Sequence, residues 1–259
     1  MKNTLQKFIY LSYRIKATCK FRNLHTLANK VPLISFTFDD FPKSAAIKGA
    51  DILRRYNVKG TYYVSLGIIG QESPVGEICD LDTIKELIEE KHEIGSHTYD
   101  HIDAYNYQAS TYEKSILKNE QSYKDFFFNS DGFQNFSYPL GYVSTKAKRI
   151  TEKYFRCSRT SYHGINFGEV DLNMLKAYPV YGNGENISLL KAIIDRNINK
   201  NGWLIFYTHD VDENPSSYGC SPKYLEDVIN FSSNSGAKLV TVTQACDKIA
   251  APKTNKTPS

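Results

Sequence analysis

Between about residues 31 and 250, apolar and polar positions switch repeatedly between the periodicity of β-strands and that of α-helices. The strand-like runs are Leu33–Phe38, Thr61–Ser65, Glu93–Ser96, Asn135–Tyr138, Phe155–Arg159, Leu175–Val180, Leu204–Tyr207 and Lys238–Val242. Helical patterns separate most of them: Ala45–Tyr56, Asp82–Lys91, Ser110–Phe126, Thr145–Lys153, Ile187–Ile198 and Pro222–Ser232. Such alternation predicts parallel strands with crossover helices, most simply an α/β fold built as one (β/α) barrel domain over residues 31–250.

Residues that can take part in chemistry, through polar side chains or through the backbone, stand at the C-terminal ends of several predicted strands. They are Asp39, Asp40, His97, Pro139, Leu140, Gly141, Arg159 and His209. A (β/α) barrel builds its active site from the loops at this face. Surface residues without a shared function would not all occupy it, so the pattern predicts a single composite site.

The spacing of two histidines at one of these strand ends indicates a metal site. His97 and His101 are four residues apart and face the same way if the chain makes a helical turn there. Histidine is the commonest protein metal ligand, and one carboxylate of the pair Asp39 and Asp40 completes a site with two histidines and one aspartate. The other carboxylate then stays free as a base. The chain is therefore predicted to be a metal-dependent hydrolase.

Composition changes this picture only in part. The net charge of +4 over 259 residues gives no argument for a nucleic-acid partner. The 19 tyrosines suit a sugar-binding cleft, although ordinary packing explains many of them equally well. The 5 cysteines never form a C-x-x-C pair, which argues against a disulfide framework and a cysteine zinc site. A reducing compartment, the cytoplasm, is the expected location.

The two ends of the chain differ from the rest. Residues 1–30 contain seven Lys or Arg and no acidic residue, and their apolar patch is too short for a signal-peptide core. Leu5, Phe8, Ile9 and Tyr13 fall roughly on one helical face. A basic helix peripheral to the inner membrane surface and a helix packed against the barrel both fit this pattern. The segment 251–259 is predicted to be a disordered tail.

Three motifs in order resemble those of a known family. They match the first, second and last motifs of that family and are, in order, Thr37-Phe38-Asp39-Asp40, His97-Thr98-Tyr99-Asp100-His101 and the strand that ends in Thr208-His209. Over roughly residues 32–245 the chain resembles the polysaccharide deacetylase family, also called the NodB-homology family or carbohydrate esterase family 4. The resemblance implies a distorted, incomplete (β/α) barrel. It also implies removal of an acetyl group, most often N-acetyl, from a sugar during surface polysaccharide or glycan biosynthesis.

The resemblance assigns roles to particular residues. It implies one divalent metal ion, usually zinc, with cobalt, nickel, iron or manganese as alternatives. The metal ligands would be Asp40, His97 and His101. Asp39 would be the general base and His209 the general acid. The backbone N–H of Leu140 would be the oxyanion donor. The family's third motif corresponds here to Ser137-Tyr138-Pro139-Leu140-Gly141. Its residues Tyr138 and Pro139, and His163 in a loop on the same face, are predicted to contact the substrate.

Two departures from the family pattern are visible in the sequence. The third motif normally begins with an arginine that orients the base, but Ser137 occupies that position here. Arg159, at the end of the next strand, is the predicted replacement, because it can reach across one strand spacing. The fourth motif is not recognisable, and Asp171 and Asp210 are candidate partners for His209.

Two rival functions remain open at the level of sequence. One is a metal-binding pseudoenzyme that only recognises glycan, and the other is a related metal amidohydrolase with a non-sugar substrate. Retention of both Asp39 and His209 argues against a mere binding module, which needs neither residue. The expected partner is an acetylated saccharide linked to a nucleotide, a lipid or a polymer.

Overall fold

The computed structural model describes residues 4–128 and 131–249, except for the side chains of Thr4, Leu5 and Lys7. The predicted disordered tail at 251–259 lies outside the described residues. Within the described ranges, no helix has both the length and the apolar character needed to cross a membrane.

The strands are short, and the central strands of the main sheet are buried. In chain order they are β1 (Leu24–Thr26), β2 (Leu33–Asp39), β3 (Thr61–Val64), β4 (Glu72–Ser73), β5 (Gly76–Glu77), β6 (Glu93–Ser96), β7 (Asn135–Ser137), β8 (Cys157–Arg159), β9 (Glu169–Asp171), β10 (Tyr178–Pro179), β11 (Trp203–Thr208) and β12 (Lys238–Leu239). The main sheet has the order β10, β11, β2, β3, β6, β7 and β8, with β12 paired to the start of β2. All of its ladders are parallel.

Helices connect most of the successive strands of this sheet. They are α1 (Thr4–Cys19), α2 (Ala50–Arg55), α3 (Leu81–Glu89), α4 (Ala109–Phe127), α5 (Thr145–Tyr154), α6 (Ile187–Asn199), α7 (Pro222–Ser233) and α8 (Val242–Cys246). Local sequence explains where several of them begin. Ser144 before α5 and Ser221 before α7 are N-cap residues whose hydroxyls accept hydrogen bonds from the first turn of the helix.

The segment 172–180 bridges the two edges of the main sheet. At its start, the backbone N–H of Thr160, just past β8, donates to the carbonyl of Leu175 at 2.9 Å. At its end, the N–H of Val180 donates to the carbonyl of Tyr207 in β11, also at 2.9 Å. The sheet therefore curls into a distorted barrel with irregular closure, which confirms the predicted fold class.

Alternation along the strands separates two apolar layers, because successive side chains point to opposite faces. In β11, Leu204 and Phe206 pack in the cluster that contains the apolar faces of the helices. Trp203, Ile205 and Tyr207 pack in a second cluster on the concave side of the sheet. The same alternation operates in every central strand of the barrel.

In β2 this alternation brings a carboxylate into the barrel. Phe36 and Phe38 belong to the helix-side cluster. Ser35, Thr37 and Asp39 alternate with them and are buried, with exposed fractions of 0%, 1% and 6%. Asp39 therefore continues the concave row of β2 and ends it at the C-terminal face.

The predicted elements agree well with the structure. Each predicted strand and each predicted helix overlaps an observed one. The helix predicted over Ala45–Tyr56 is divided into a π-helical turn at Ala45–Gly49 and α2. The sequence does not predict the antiparallel pair β1 and β9, the hairpin β4–β5, or α8. Helix α8 begins at Val242, the last residue of the final predicted strand.

A buried lysine attaches α1 to the barrel. The side chain of Lys148 on α5 is 0% exposed, and its ammonium donates to the carbonyls of Ala17 and Lys20 at 2.8 and 3.1 Å. It also pairs with Asp171 in β9 at 2.7 Å. The C-terminal end of a helix exposes unpaired carbonyls with negative partial charge, so this cation completes the end of α1.

Candidate active site

A cleft of about 610 Å³ opens at the C-terminal face of the barrel. Its lining includes residues at or after the ends of β2, β6, β7 and β11, as the sequence predicted. The predicted site residues that line it are Asp39, Asp40, His97, His101, Leu140 and His209. Arg159, at the end of β8, is buried and does not itself line the cleft.

Asp40, His97 and His101 form a compact cluster of potential metal ligands. One ligand atom from each residue lies within 4.8 Å of the others. The imidazole Nε2 atoms of His97 and His101 lie 3.6 and 3.2 Å from Oδ1 of Asp40. Ligands about 2.1 Å from a tetrahedral ion are separated by about 3.4 Å, so the cluster has a suitable size. Oδ1 of Asp40 is buried and has no hydrogen-bond partner among the described residues, which fits a metal ligand.

The environment of His97 favours the neutral imidazole, which is the form that can bind a metal. It is 1% exposed, and burial lowers its pKa to about 4 against the opposing attraction of Asp40 and Asp39. Its Nδ1–H donates to the backbone carbonyl of Ser137 at 2.7 Å, which leaves the lone pair of Nε2 directed at the cluster. This tautomer follows from the acceptor that faces Nδ1.

The loop between the two histidines is not the helical turn that the spacing suggested. Thr98 and His101 have φ angles of 63° and 52°, so left-handed backbone positions bring the two rings to 5.1 Å between centroids. The hydroxyl of Ser115 on α4 supports the loop by accepting from the backbone N–H of Tyr99 and donating to the carboxylate of Asp100. The prediction that the histidines converge is right, and the proposed backbone conformation is wrong.

Arg159 contacts the carboxylate of Asp39, as the sequence predicted. The guanidinium is 1% exposed and forms a short ion pair with Oδ1 of Asp39. The same nitrogen donates to Oγ of Ser137 at 2.6 Å, and the rings of Tyr63 and Tyr207 lie 5.2 and 4.9 Å from the guanidinium carbon. Ser137 and Arg159 are paired neighbours in the register of β7 and β8, so the small serine leaves room for the arginine.

The charges in this pair stabilise each other. Burial raises the pKa of Asp39, but attraction by Arg159, followed by His97 and His209, outweighs it and holds that pKa below its ordinary value. Burial likewise lowers the pKa of Arg159, and Asp39 reverses this effect, so the pKa of the guanidinium is raised. Asp39 is therefore an ionised carboxylate beside the cluster of potential metal ligands, held in place by a permanent cation.

His209 lies across the cleft, on the loop after β11. Its ring nitrogen Nδ1 donates to the backbone carbonyl of Tyr218 at 3.2 Å, which leaves Nε2 for the cleft. Neither carboxylate suggested as its partner fulfils that role. Asp171 pairs with Lys148, and Asp210 accepts from the backbone N–H and hydroxyl of Ser216.

The family model for polysaccharide deacetylase matches residues 27–155, about half of the chain. The match contains both the strand that ends in Asp39 and the loop that carries His97 and His101. The chain belongs to the polysaccharide deacetylase family. The matched region ends before Arg159 and His209, whose placement in the site rests on the structure.

Individual relatives agree with the family. Peptidoglycan-N-acetylglucosamine deacetylase PgdA of Listeria monocytogenes is 34% identical over 93 residues, covering 36% of this chain and 18% of that protein. A Mycobacterium smegmatis protein described as a polysaccharide deacetylase has a TM-score of 0.64 at 14% identity, over 90% of this chain and 99% of that one. A carbohydrate esterase family 4 pseudoenzyme from Bacillus anthracis has a TM-score of 0.55 at 13% identity, over 85% and 66%. At 14% and 13% sequence identity, the similarity to these two structures shows that the fold is shared and nothing further.

Left-handed backbone positions are concentrated in this site of the polysaccharide deacetylase fold. Asp40 and Leu140, with φ of 53° and 57°, join Thr98 and His101, and these four are among nine described non-glycine residues with positive φ. Such residues are uncommon and cluster where function requires a particular geometry. Leu140 lines the cleft and is 58% exposed. Its role as backbone oxyanion donor stays a prediction.

Three predicted substrate contacts do not lie in the cleft. Tyr138 is 1% exposed, and its hydroxyl bonds to Thr151 at 2.8 Å inside the core. Pro139 is buried beside it. His163 is exposed, packs on the ring of Tyr178 and lines a separate pocket beside α1. The three predictions followed proximity to the third motif or to the barrel face, and the direction of each side chain decided otherwise.

Aromatic residues that the sequence did not single out line the cleft instead. They are Tyr142, Tyr181, Tyr207 and Tyr218. The rings of Tyr181 and Tyr218 lie 6.1 and 5.7 Å from the ring of His209. The hairpin β4–β5 adds Pro74 and Val75 to the rim. The high tyrosine content was the only sequence signal, and it did not indicate which tyrosines reach the site.

Proposed function

We propose that this chain is a metal-dependent deacetylase that hydrolyses the N-acetyl group of an acetylated sugar in surface polysaccharide or glycan biosynthesis. The observation that supports the proposal most is the position of one carboxylate, Asp39, beside the cluster of Asp40, His97 and His101. One aspartate joins the potential ligands, and its neighbour is free of them and held by Arg159. This division of roles between adjacent carboxylates is what hydrolysis by an activated water requires.

The cluster of Asp40, His97 and His101 would hold one divalent cation, with zinc proposed from the mixed nitrogen and oxygen ligand set. Such a cation supplies a Lewis acid that polarises the acetyl carbonyl and acidifies a water molecule. Asp39 accepts the proton of that water, and Arg159 keeps its carboxylate ionised and oriented. The backbone N–H of Leu140 donates to the oxygen that becomes negative as the water attacks.

The departing amine needs a proton, and His209 is placed to provide it. Nδ1 of His209 is engaged by the carbonyl of Tyr218, so the proton is delivered from Nε2. General acid catalysis is needed more for a nitrogen leaving group than for an alcohol, because the amine is the more basic group. This residue therefore favours amide over ester substrates.

The substrate proposed is an N-acetylated saccharide, and a peptidoglycan-like polymer is the first to test, because the relative named above acts on peptidoglycan N-acetylglucosamine. The tyrosines around His209 suit this class, since sugar C–H faces pack on rings and sugar hydroxyls bond to phenols. Nucleotide-linked and lipid-linked acetyl sugars, and a non-sugar amide, are the other substrates to compare.

A glycan-binding pseudoenzyme is the second candidate. The observation in its favour is Ser137 in the position of the third-motif arginine, together with the structural similarity to a family pseudoenzyme. The ion pair of Arg159 with Asp39 favours the enzyme, because a binding module has no use for a supported base.

Acetate release separates the two candidates. Metal-loaded wild type is incubated with N-acetylglucosamine oligomers, peptidoglycan fragments and an acetylated non-sugar amide, beside the Asp39→Asn variant. Wild type is expected to release acetate from the saccharides, and Asp39→Asn to lose at least about a hundredfold while keeping its metal. Saccharide binding without acetate release by wild type would favour the pseudoenzyme. Release from the non-sugar amide alone would reassign the substrate.

A further inference from the structure

The helix α1 has an inner face that packs on the barrel. The ring of Tyr10 lies 4.8 Å from that of Tyr105, and the ring of Tyr13 lies 5.1 Å from it. Ala17, one turn further on, is 0% exposed. Together with the ammonium of Lys148 at its C-terminal end, these contacts fix the orientation of the helix.

The opposite face of α1 is apolar and exposed to solvent. Phe8, Leu11 and Ile15 are 64%, 49% and 55% exposed, and their spacing of three and four residues places them along one line. We call these three residues the α1 stripe. A helix that already buries one face against its domain would ordinarily show a polar face on the other side. The stripe is therefore unexplained by the folding of this domain.

Basic side chains flank the stripe. In helical projection, Arg14 lies on one side of the stripe and Lys16 on the other, and both are exposed. The guanidinium carbon of Arg14 also lies 4.2 Å from the ring centroid of Tyr162. Lys20, directly after the end of α1, adds a third exposed cation. No acidic residue occurs in residues 1–30. The surface that covers the stripe must therefore accept apolar side chains at its centre and provide negative charge at its margins.

We propose that α1 binds the surface of an anionic lipid bilayer, with the α1 stripe inserted at the boundary between head groups and acyl chains. Apolar side chains between flanking lysines and arginines are the pattern of an interfacial helix. A second copy of this chain is a poorer occupant, because stripe-to-stripe packing would bring two sets of basic side chains together. This inference does not depend on the catalytic proposal.

Because α1 packs beside the cleft, binding of α1 to a bilayer would determine where the cleft lies relative to that bilayer. Tyr105, against which α1 packs, stacks on Tyr142 with ring centroids 4.6 Å apart. Tyr142 also contacts Tyr10 and lines the cleft. A bilayer in contact with the α1 stripe would therefore be separated from this wall of the cleft by about one helix diameter, ~10 Å. Acetylated sugars carried on long lipids would span that distance.

Vesicle sedimentation with the metal-loaded full chain tests the proposal. Wild type is expected to bind vesicles of phosphatidylglycerol and phosphatidylcholine, to lose binding as salt rises, and to bind pure phosphatidylcholine weakly. The variant Phe8→Gln/Leu11→Gln/Ile15→Gln should lose affinity about a hundredfold, because glutamine keeps helix propensity but has no apolar surface to insert. Lys16→Glu/Lys20→Glu should lose about tenfold or more.

Matched controls isolate the helix. Leu117→Gln/Leu189→Gln removes leucines that are 43% and 58% exposed on α4 and α6, and Lys85→Glu/Lys114→Glu reverses exposed charges on α3 and α4. Both should bind vesicles like wild type. Circular dichroism and thermal melting verify that each variant is folded.

An optical readout reports insertion directly. The native Trp203 is 0% exposed in the barrel, so Phe8→Trp adds the one solvent-exposed indole among the residues that the structure describes. Its emission should shift to the blue with anionic vesicles and stay unchanged with pure phosphatidylcholine. Equal binding of the stripe variant and wild type, or no emission shift, overturns the proposal. A wild-type dimer that dissociates on loss of the stripe, without vesicle binding, would assign the surface to a second copy instead.

Discussion

Removing the charge of Arg159 should expose how much the pair with Asp39 matters. Arg159→Met keeps most of the side-chain volume but leaves the carboxylate buried without its cation. Arg159 is 1% exposed and Asp39 is 6% exposed, so solvent does little to compensate. Breaking a buried ion pair by removing one partner costs about 3–5 kcal/mol in free energy of unfolding. The double variant Asp39→Asn/Arg159→Met leaves no unpaired charge and should cost much less than the sum of the two single changes.

The contribution of Asp39 to the free energy of unfolding should depend on pH, and in opposite directions in wild type and Arg159→Met. In wild type the pKa of Asp39 is lowered, so its stabilising contribution is present above its unfolded value of about 4 and is lost as pH falls through the folded pKa. In Arg159→Met, burial raises the pKa of Asp39 above the unfolded value. The variant should therefore become less stable, relative to wild type, as pH rises from about 4 through the new pKa.

Urea unfolding at pH 5 and pH 8, together with the pH profile of kcat/KM for acetate release, measures both effects. Arg159→Met should lose about a hundredfold in turnover, because the base is no longer held in position, and the acid limb of its profile should move to higher pH. Arg159→Lys should recover less than half of the free energy of unfolding that Arg159→Met loses, because lysine lacks the planar guanidinium that can donate two hydrogen bonds at once. Ser137→Arg/Arg159→Ser returns the guanidinium to the paired position on β7 and should recover part of the activity. A wild-type pH profile and stability in Arg159→Met would refute the reasoning.

Four further substitutions test the general acid, the attachment of α1 and the aromatic lining of the cleft. His209→Ala should keep metal and fold but lose turnover by about a hundredfold or more, with a larger loss on acetamides than on activated acetate esters; equal losses on both would contradict a role as acid. Lys148→Met should lower the free energy of unfolding by about 3 kcal/mol, because Asp171 and two helix carbonyls lose a buried cation; limited proteolysis should then cut α1 faster, and unchanged proteolysis would argue against the attachment. Tyr181→Ala and Tyr218→Ala should raise KM for saccharides more than they lower kcat, and an unchanged KM in both would remove these rings from the sugar site.

The elements of the barrel could be predicted from the sequence because its central strands are continuous apolar runs, and buried parallel strands require such runs. Leu33–Phe38 is the clearest example. The pair β1 and β9 and the hairpin β4–β5 were not predictable in this way. They are two or three residues long and almost entirely half-exposed or exposed, so no apolar periodicity identifies them.

The candidate site also contains residues whose positions could be predicted from the sequence and residues whose positions could not. Strand ends and spacing were enough to bring Asp39, Asp40, His97 and His101 together, because the ends of parallel strands meet at one face. The contact of Arg159 with Asp39 was also predictable, because β8 lies beside β7 and serine replaces the usual arginine. The direction of Tyr138 was predictable as well, because it follows Ser137 on an extended backbone and therefore points with Phe136 into the helix-side cluster. The direction of His163 was not, because it lies in a loop without such alternation. Nor was the partner of His209, a backbone carbonyl, which has no sequence signature.

The content and stoichiometry of the metal test the central claim most directly. Metal-free protein is titrated with zinc, and metal analysis is combined with acetate release from an N-acetylated saccharide at each step. The account predicts that activity rises linearly and saturates at one equivalent per chain, and that His97→Ala and His101→Ala lose both metal and activity while the barrel stays folded. Full metal content in both variants, or full acetate release by metal-free protein, would contradict it.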